Sequence, residues 1–95
     1  MVRLNWTPRS LNDLDSIAEF ISEDSVKYAK IQVKRIRNKA KIILNQIYIG
    51  RIVPEYNDPT IREIIMGNYR IIYRIFSTNE IDILTIHHSA RIIKL

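Results

Sequence analysis

The sequence predicts an α+β fold with the order β-α-α-β-β-β, in which a helical hairpin packs on one face of a four-stranded, mainly antiparallel sheet. Three observations predict it. Two apolar lines with helical spacing occupy the first half of the chain, a proline-containing loop follows at 51–60, and three segments rich in Ile and Tyr come next. Because 95 residues suffice for one core and no linker is evident, we expect a single domain over 1–95.

The first strand and the first helix are marked by the residues at their junction. Residues 2–6 alternate between apolar and polar, as expected for a strand with one buried face. Thr7 can cap the free N–H groups of a helix, and Pro8 suits the first helical position, where no backbone N–H is needed. The apolar line of this helix comprises Leu11, Leu14, Ala18 and Ile21.

The second helix is predicted from residue 26 to about residue 48, after a short polar break at 22–25. Gly50 is suited to end it, because glycine readily adopts the backbone conformation that follows many helices. Two helices with a tight connection and matching apolar lines favour an antiparallel hairpin. The apolar line of the second helix comprises Ala29, Val33, Ile36, Ala40, Ile43 and Ile47.

The segments 61–66, 69–76 and 81–88 predict an antiparallel meander of three strands. The separators at 67–68 and 77–80 contain the Gly, Asn and Ser residues that favour hairpin turns. The sequence does not specify where the first strand joins this sheet.

Strand 69–76 carries two arginines on one face. Alternation places Arg70 and Arg74 together, and we expect this face to be the less buried one, because guanidinium groups are rarely buried without a partner. Two arginines about 7 Å apart along a strand suit the binding of phosphates or carboxylates. The alternative is that they form salt bridges with Glu63 or Asp82 across the strands.

The composition excludes several classes of site. Cysteine is absent, which excludes disulfides, thiolate metal sites and a cysteine nucleophile, and two glycines are too few for a glycine-rich phosphate loop. We expect neither a metal nor another cofactor. No apolar run approaches the roughly 20 residues of a membrane span, and residues 1–6 do not resemble a signal peptide, so we expect a cytoplasmic protein without membrane contact.

The excess positive charge is confined to one segment. The net charge is +5, and residues 25–51 contain eight Lys or Arg side chains and no acidic one. On the second helix, a basic ridge lies about a quarter-turn from the apolar line, which favours an anionic partner: nucleic acid, ribosome or an acidic protein. An ordinary solvated helix face is the alternative. The basic ridge comprises Lys27, Lys30, Lys34, Arg37 and Lys41.

Apolar side chains also fall on the side of the second helix opposite its core line. Tyr28, Ile31 and Ile42 are predicted there, and together with Arg74 they are the candidate partner-binding residues. A contiguous exposed apolar strip is typical of an interface, whereas single exposed apolar residues are ordinary. The residues alone leave both interpretations open.

The C-terminal segment contains candidates for ribonuclease chemistry. That chemistry needs a base for the 2′-hydroxyl, an acid for the leaving oxygen, and cations for the additional charge on the phosphate. If the chain is a nuclease, the candidates are Arg70, His88 and Arg91. His87 and His88 are neighbours in a strand and point to opposite faces, so they do not readily act as a pair.

Three segments of the chain follow a familiar order. Residues 6–21 read WTPRSLNDLDSIAEFI, residues 62–75 read REIIMGNYRIIYRI, and residues 87–91 read HHSAR. They resemble, in turn, the first-helix signature, the central hairpin and the closing segment of the RelE/ParE superfamily, the toxins of type II toxin–antitoxin systems. The resemblance extends over nearly the whole chain and implies the same fold.

The resemblance implies a cytoplasmic growth inhibitor that is neutralised by a cognate antitoxin, whose acidic and apolar tail wraps it as a helix and an extended segment. RelE-like members cut mRNA on the ribosome, using basic side chains of the sheet and a tyrosine near the C-terminus. ParE-like members inhibit DNA gyrase. Arg70 stands at the hairpin arginine of the family, and Arg91 falls near its C-terminal arginine.

The sequence departs from the RelE-like pattern at two places. Residues 61–63 read IRE where the family has lysines, and no tyrosine follows Tyr73. These departures remove groups for proton transfer and charge stabilisation. We therefore favour a ParE-like gyrase inhibitor. The alternatives are a RelE-like, metal-independent endoribonuclease that acts on mRNA at the ribosome, and a non-toxic nucleic-acid-binding module.

Overall fold

The computed structural model describes residues 1–88, in which two helices pack on a five-stranded sheet. The helices are α1 (Pro8–Ser22) and α2 (Val26–Ala40), and a 3-10 turn follows at Lys41–Leu44. The strands are β1 (Arg3–Trp6), β2 (Arg51–Ile52), β3 (Ile61–Met66), β4 (Tyr69–Ser77) and β5 (Glu80–His88). Within this part of the chain, neither helix has the length and apolar character that a membrane crossing requires.

The predicted start of α1 is confirmed, and it also fixes the helix to the sheet. The Thr7 hydroxyl accepts a hydrogen bond from the Ser10 N–H at 3.2 Å and donates one to the Ile83 carbonyl at 2.7 Å. Six residues farther along, the Asp13 carboxylate accepts a hydrogen bond from the Ile86 N–H at 3.0 Å. These two side chains join the N-terminal half of α1 to β5.

The second helix is shorter than predicted. It ends at Ala40 and continues as the 3-10 turn, so the prediction of a helix to about residue 48 is wrong. Beyond the 3-10 turn, the chain is bonded to the sheet. The buried Tyr73 hydroxyl donates to the Ile47 carbonyl at 2.9 Å and accepts from the Gly50 N–H at 2.9 Å. These backbone groups are bonded to a side chain of the sheet, and the chain turns at Gly50 into β2.

The sheet has one strand more than the four predicted. Its order is β1-β5-β4-β3-β2, with β1 parallel to β5 and all other neighbours antiparallel. The additional strand β2 pairs Arg51 with Glu63 and Ile52 with Arg62. Two residues are too few to display strand periodicity, so the sequence predicted a loop there. The first strand, whose place the sequence left open, lies at the free side of β5.

The core lies between the helices and one face of the sheet. Ile71, Tyr73 and Ile75 of β4 belong to it, which confirms the predicted alternation along that strand. The buried residues that the helices and the 3-10 turn add to this core are Leu14, Ile36, Ala40 and Ile43. Two surfaces lie outside this core and are candidates for a functional site: the opposite face of the sheet and the outer surface of the helical hairpin.

Candidate functional site

Arg70 belongs to the sheet face opposite the helices, and it is buried there. Its side chain is only 10% exposed, and Ile72 on the same face is fully buried. The prediction that this face is the less buried one is therefore wrong at Arg70, although Arg74 is exposed as predicted. The reason is that the protein supplies the polar partner itself, because Glu55 in the loop between β2 and β3 reaches the guanidinium.

Two carboxylates hold the Arg70 guanidinium. Its Nε donates to Glu63 at 2.5 Å, while its Nη1 and Nη2 donate to the two oxygens of Glu55 at 2.8 and 2.9 Å. The Glu63 side chain is 0% exposed, and its second oxygen accepts from Arg51 Nε at 2.5 Å. Of the two cross-strand partners considered for Arg70, Glu63 and Asp82, the ion pair forms with Glu63.

The ion pair between Glu55 and Arg70 shifts the pKa of both groups in the direction that keeps them charged. Hydrogen bonds from Arg70 lower the pKa of Glu55 from its ordinary value of 4.5 to about 2. Hydrogen bonds to Glu55 in turn raise the pKa of Arg70 above its ordinary value. Both groups are therefore charged at physiological pH, and their bidentate contact is of the strong, charge-assisted kind. An external anion that approached Arg70 would have to displace Glu55.

The candidate nuclease residues are not assembled in the described part of the chain. His88 pairs with Tyr69 and makes an edge-to-face ring contact with it at 5.6 Å between ring centres, whereas Arg70 pairs with His87. Since neighbouring strand residues point to opposite faces, His88 and Arg70 lie on opposite sides of the sheet. Arg91 lies outside the described residues, and the catalytic assignments stay predictions. No group of three potential metal ligands is found in the part that is described.

A second candidate site lies between the two helices. An open groove of about 700 Å³, here called the helical groove, separates α1 from α2. Its floor is apolar: Leu14 and Ala29 are buried, and Ala18 and Val33 are half-buried. Leu11 also lines it and is 39% exposed. Three members of the predicted apolar line of α1, namely Leu11, Leu14 and Ala18, therefore line the groove.

The helical groove has rims of opposite charge. Asp15 and Glu19 of α1 line one side, and Lys30, Lys34 and Arg37 of α2 line the other. All five residues are exposed. The ligand that matches such a groove is an amphipathic helix with an apolar stripe, one basic flank and one acidic flank.

The predicted partner-binding residues lie elsewhere. Tyr28 and Ile31 are 48% and 38% exposed on α2, yet neither lines the helical groove. Ile42 does not share their helix face as predicted, because the helix has ended at Ala40, and it is half-buried in the 3-10 turn. Arg74 is exposed on β4, away from both helices. Only Tyr28 and Ile31 are brought together, and the partner role of these residues stays a prediction.

The basic ridge is exposed along its whole length. Four of its members lie on α2, and Lys41 begins the 3-10 turn instead of continuing the helix. No member forms an ion pair within residues 1–88. The cations that were predicted to face an anionic partner are therefore not engaged by carboxylates of the described chain. They are Lys27, Lys30, Lys34, Arg37 and Lys41.

Sequence reasoning missed Glu55 and the helical groove. Glu55 stands in a proline-containing loop, where no periodicity connects it with Arg70. For the groove, a signal was present. Asp15 and Glu19 are four residues apart beside the apolar line of the first helix, and this spacing forms a charged flank next to an apolar face.

Comparisons with known proteins relate this fold to a family. The family model of the ParE toxin of the type II toxin–antitoxin system, parDE, matches residues 4–93. A solved chain from the chromosomal ParDE toxin–antitoxin system of P. aeruginosa shares the fold, with a TM-score of 0.76 and 24% sequence identity over 93% of this chain and 96% of that one. Among curated proteins, no relative matches.

The family match favours the ParE-like interpretation of the sequence over the RelE-like alternative, because it extends over nearly the whole chain and names the ParE branch. The segments that carry the resemblance, 6–21, 62–75 and 87–91, all lie within the matched region. The chain therefore belongs to the ParE toxin family, and it is the toxin component of a type II toxin–antitoxin pair, whose partner is an antitoxin.

Proposed function

We propose that this toxin inhibits DNA gyrase in the cytoplasm, and that its antitoxin neutralises it by placing a helix of mixed charge in the helical groove. The observation that carries the choice of gyrase over mRNA is the engagement of Arg70 by two carboxylates. Membership of the ParE family supports the same choice, because the resemblance associates ParE-like members with gyrase.

Phosphodiester cleavage needs a cation directed at the phosphate and an acid–base group on the same side of the site. Arg70 donates from all three of its nitrogens to Glu55 and Glu63, so a phosphate would have to compete with both carboxylates. His88, the candidate acid–base residue, belongs to the other face of the sheet, whereas His87 shares the face of Arg70. The engagement of Arg70 by both carboxylates is therefore the feature that supports inhibition by protein binding instead of cleavage.

Gyrase inhibition is tested with the purified full chain. We expect it to reduce the supercoiling of a relaxed plasmid by gyrase and to leave mRNA uncut in a translating extract. Arg70→Lys is expected to retain inhibition, because it keeps a charge beside Glu63 while it loses the bidentate contact with Glu55. Circular dichroism checks that the variant is folded. Ribosome-dependent mRNA cuts that disappear in Arg70→Lys, with supercoiling unaffected, would contradict the proposal.

The groove defines the proposed antitoxin segment. Its apolar stripe would contact the floor at Leu14 and Val33, and its basic side chains would face Asp15 and Glu19. Its acidic side chains would face the basic rim on α2, in agreement with the acidic and apolar tail that the resemblance implies. A helix with the two flanks exchanged would meet like charges on both sides, so the rims select one orientation.

Exposed apolar positions of the groove allow a test that spares the core. Leu11 and Val26 line the groove and are 39% and 60% exposed in the free toxin. We expect Leu11→Asp and Val26→Asp to weaken the antitoxin complex by about tenfold or more, while the thermal stability of the free toxin changes little. The measurement is titration calorimetry with the antitoxin, together with a melting curve of each variant.

Phe20→Asp is the matched control, since Phe20 lies on α1, is 73% exposed and does not line the groove. Ile31→Asp asks separately whether the predicted strip contributes to the complex. If Phe20→Asp weakened the complex as much as Leu11→Asp, the antitoxin would not be recognised through the groove.

A further inference from the structure

A second concavity lies where the end of α2 approaches β1. It has a volume of about 410 Å³ and shares Lys34 and Arg37 with the helical groove. Asn38 and Lys41 also line it, and Trp6 of β1 is its one aromatic residue. It is here called the Trp6 basin. We propose that the Trp6 basin, together with the basic ridge, binds the phosphate backbone of duplex DNA.

The cations of the basic ridge repel one another, and none of them forms an ion pair within residues 1–88. Side chains three or four residues apart on a helix are neighbours, and like charges at that spacing destabilise the helix. The helix dipole favours cations in the last turn, where Arg37 lies, but disfavours them in the first turn, where Lys27 lies. Helix stability therefore does not account for the ridge, whereas an anionic ligand does.

The signs of the lining charges distinguish the two concavities. The helical groove carries Asp15 and Glu19 opposite its basic rim, which suits a protein segment of mixed charge. The charged residues that line the Trp6 basin, Lys34, Arg37 and Lys41, are all basic. A uniformly charged polymer such as a nucleic-acid backbone matches a surface of one sign, because each cation neutralises a phosphate and releases counterions.

The position of Arg37 favours a duplex over single strands. Its guanidinium lies 5.1 Å from the centre of the Trp6 ring, so the face of the ring that a base would stack on is already occupied. Single-strand binding relies on such stacking platforms, whereas a duplex can be held through phosphates alone. An Arg that stacks on an aromatic ring also presents its planar N–H edge in a fixed direction, which suits phosphate oxygens.

The length of the ridge suits a duplex as well. From Lys27 to Lys41 it extends about 20 Å, which corresponds to the rise of about six base pairs. Because the cations are evenly spaced and do not enter a base-specific pocket, the expected binding is independent of DNA sequence. The choice of DNA over RNA rests on the proposed function, because gyrase acts on DNA.

Trp6 is the only tryptophan of the chain, so its fluorescence reports on the basin directly. The full toxin is titrated with a DNA duplex twice the length of the ridge, at several salt concentrations and without gyrase. We expect a saturable change in Trp6 emission and a binding constant that falls steeply with salt. An RNA duplex, a DNA single strand and a poly-glutamate peptide of equal charge are expected to bind more weakly.

Two triple variants with the same loss of charge locate the site. Lys34→Gln, Arg37→Gln and Lys41→Gln together remove the three basin cations. Each lost phosphate contact should reduce the slope of log binding constant against log salt by about 0.9, so the triple should lose two to three such contacts. Arg9→Gln, Arg35→Gln and Lys39→Gln form the control triple, because none of these residues lines the basin. It should retain the slope and the Trp6 signal.

Each of the other outcomes overturns the proposal. Equal losses in the two triples would mean that only net charge matters, and tighter binding of RNA, single strands or the acidic peptide would identify a different ligand. A Trp6 signal that does not respond to the duplex would place any binding elsewhere. Since gyrase is not present in this test, a failure here leaves the supercoiling result intact, and a failure of gyrase inhibition leaves this test readable.

Discussion

Arg70 and Arg37 both lie in regular secondary structure, but they differ in burial and in their carboxylate partners. The Arg70 side chain is 10% exposed and bonded to carboxylates of Glu63 and Glu55. Arg37 is exposed, is held over the Trp6 ring at 5.1 Å, and forms no ion pair within residues 1–88. The first arginine belongs to an internal network of ion pairs, and the second belongs to a surface cluster of cations without ion pairs in the described part of the chain.

The difference teaches that the place of an arginine in a family motif does not determine its role. Arg70 stands at the hairpin position that the resemblance connects with catalysis, yet a loop glutamate occupies the guanidinium edge that a phosphate would need. Arg37 carries no such motif, and its surroundings leave it available. The carboxylates within reach decide whether a cation holds the fold or meets a ligand.

The largest effect is expected from breaking the internal network at Glu63. Glu63→Gln removes the charge that Arg70 and Arg51 share, while the Gln side chain has nearly the same shape. Loss of one member of a buried ion pair leaves its partner uncompensated and typically costs about 3–5 kcal/mol. We expect the free energy of unfolding, measured in urea, to fall by about 3 kcal/mol, because Glu55 still neutralises part of the Arg70 charge.

Glu19→Gln is the control for this change, because Glu19 is exposed and forms no ion pair within residues 1–88. It should shift the free energy of unfolding by less than about 0.5 kcal/mol. If Glu63→Gln were as mild as the control, Arg70 would not depend on its internal partner, and the contrast with Arg37 would disappear.

An intermediate effect on the free energy of unfolding is expected at Gly50, which packs closely against the sheet. A Cβ at this position would lie 2.7 Å from both the Glu63 carbonyl oxygen and the Tyr73 hydroxyl. Gly50→Ala therefore overpacks a tight contact and should cost about 1–3 kcal/mol. Gly67→Ala is the comparison, because Gly67 has a φ of +58° and, apart from its chain neighbours, no atom within 4 Å of an added Cβ. It should cost only the backbone strain of about 1 kcal/mol. If denaturation curves showed that Gly67→Ala lowers the free energy of unfolding more than Gly50→Ala does, close packing would not be the dominant effect at Gly50.

Much of the fold could be predicted because it is written in local periodicity. The cap at Thr7, the start of α2 and the strand Ile61–Met66 were all predicted from neighbouring residues. The end of α2 at Ala40 was not, because the apolar spacing of the helix continues to Ile47 although the chain changes to a 3-10 turn at Lys41. The additional strand Arg51–Ile52 was missed because it exists only through its pairing with β3.

The candidate sites divide in the same way. Exposure of the basic ridge follows from helical spacing and was predicted, as was the alternation that separates Arg70 from Tyr73. The burial of Arg70 depends on Glu55, whose loop has no periodicity, and the helical groove depends on how far apart two helices pack. Neither the burial of Arg70 nor the helical groove can be inferred from a local sequence pattern, because both depend on contacts between distant parts of the chain.

A smaller effect is expected on the stability of the protein in acid, through the ion pair between Glu55 and Arg70. The pKa of Glu55 is lowered to about 2 in the folded protein by hydrogen bonds from Arg70, from an ordinary value of 4.5. The stabilisation from this pair is therefore complete above about pH 4.5 and is lost as the pH falls towards 2. Because the Glu55 side chain is 46% exposed, solvent screens the pair and the effect is modest. We expect Glu55→Gln to flatten the loss of stability between pH 5 and pH 2, and a profile identical to that of the wild type would show that other carboxyls govern it.

The smallest expected effect is opposite in sign, and it comes from the unbalanced surface at Lys27. This lysine stands in the first turn of α2, where the helix dipole disfavours a cation, and three residues before Lys30, which repels it. Lys27→Glu reverses both interactions, so the free energy of unfolding should rise by about 0.5 kcal/mol. Lys27→Gln removes the repulsion without adding an attraction and should give a smaller rise. The same variants should bind duplex DNA more weakly, so stability and binding would move in opposite directions. If Lys27→Glu instead lowered the melting temperature, Lys27 would stabilise the folded protein, as Arg70 does. The basic ridge would then need no ligand to account for it.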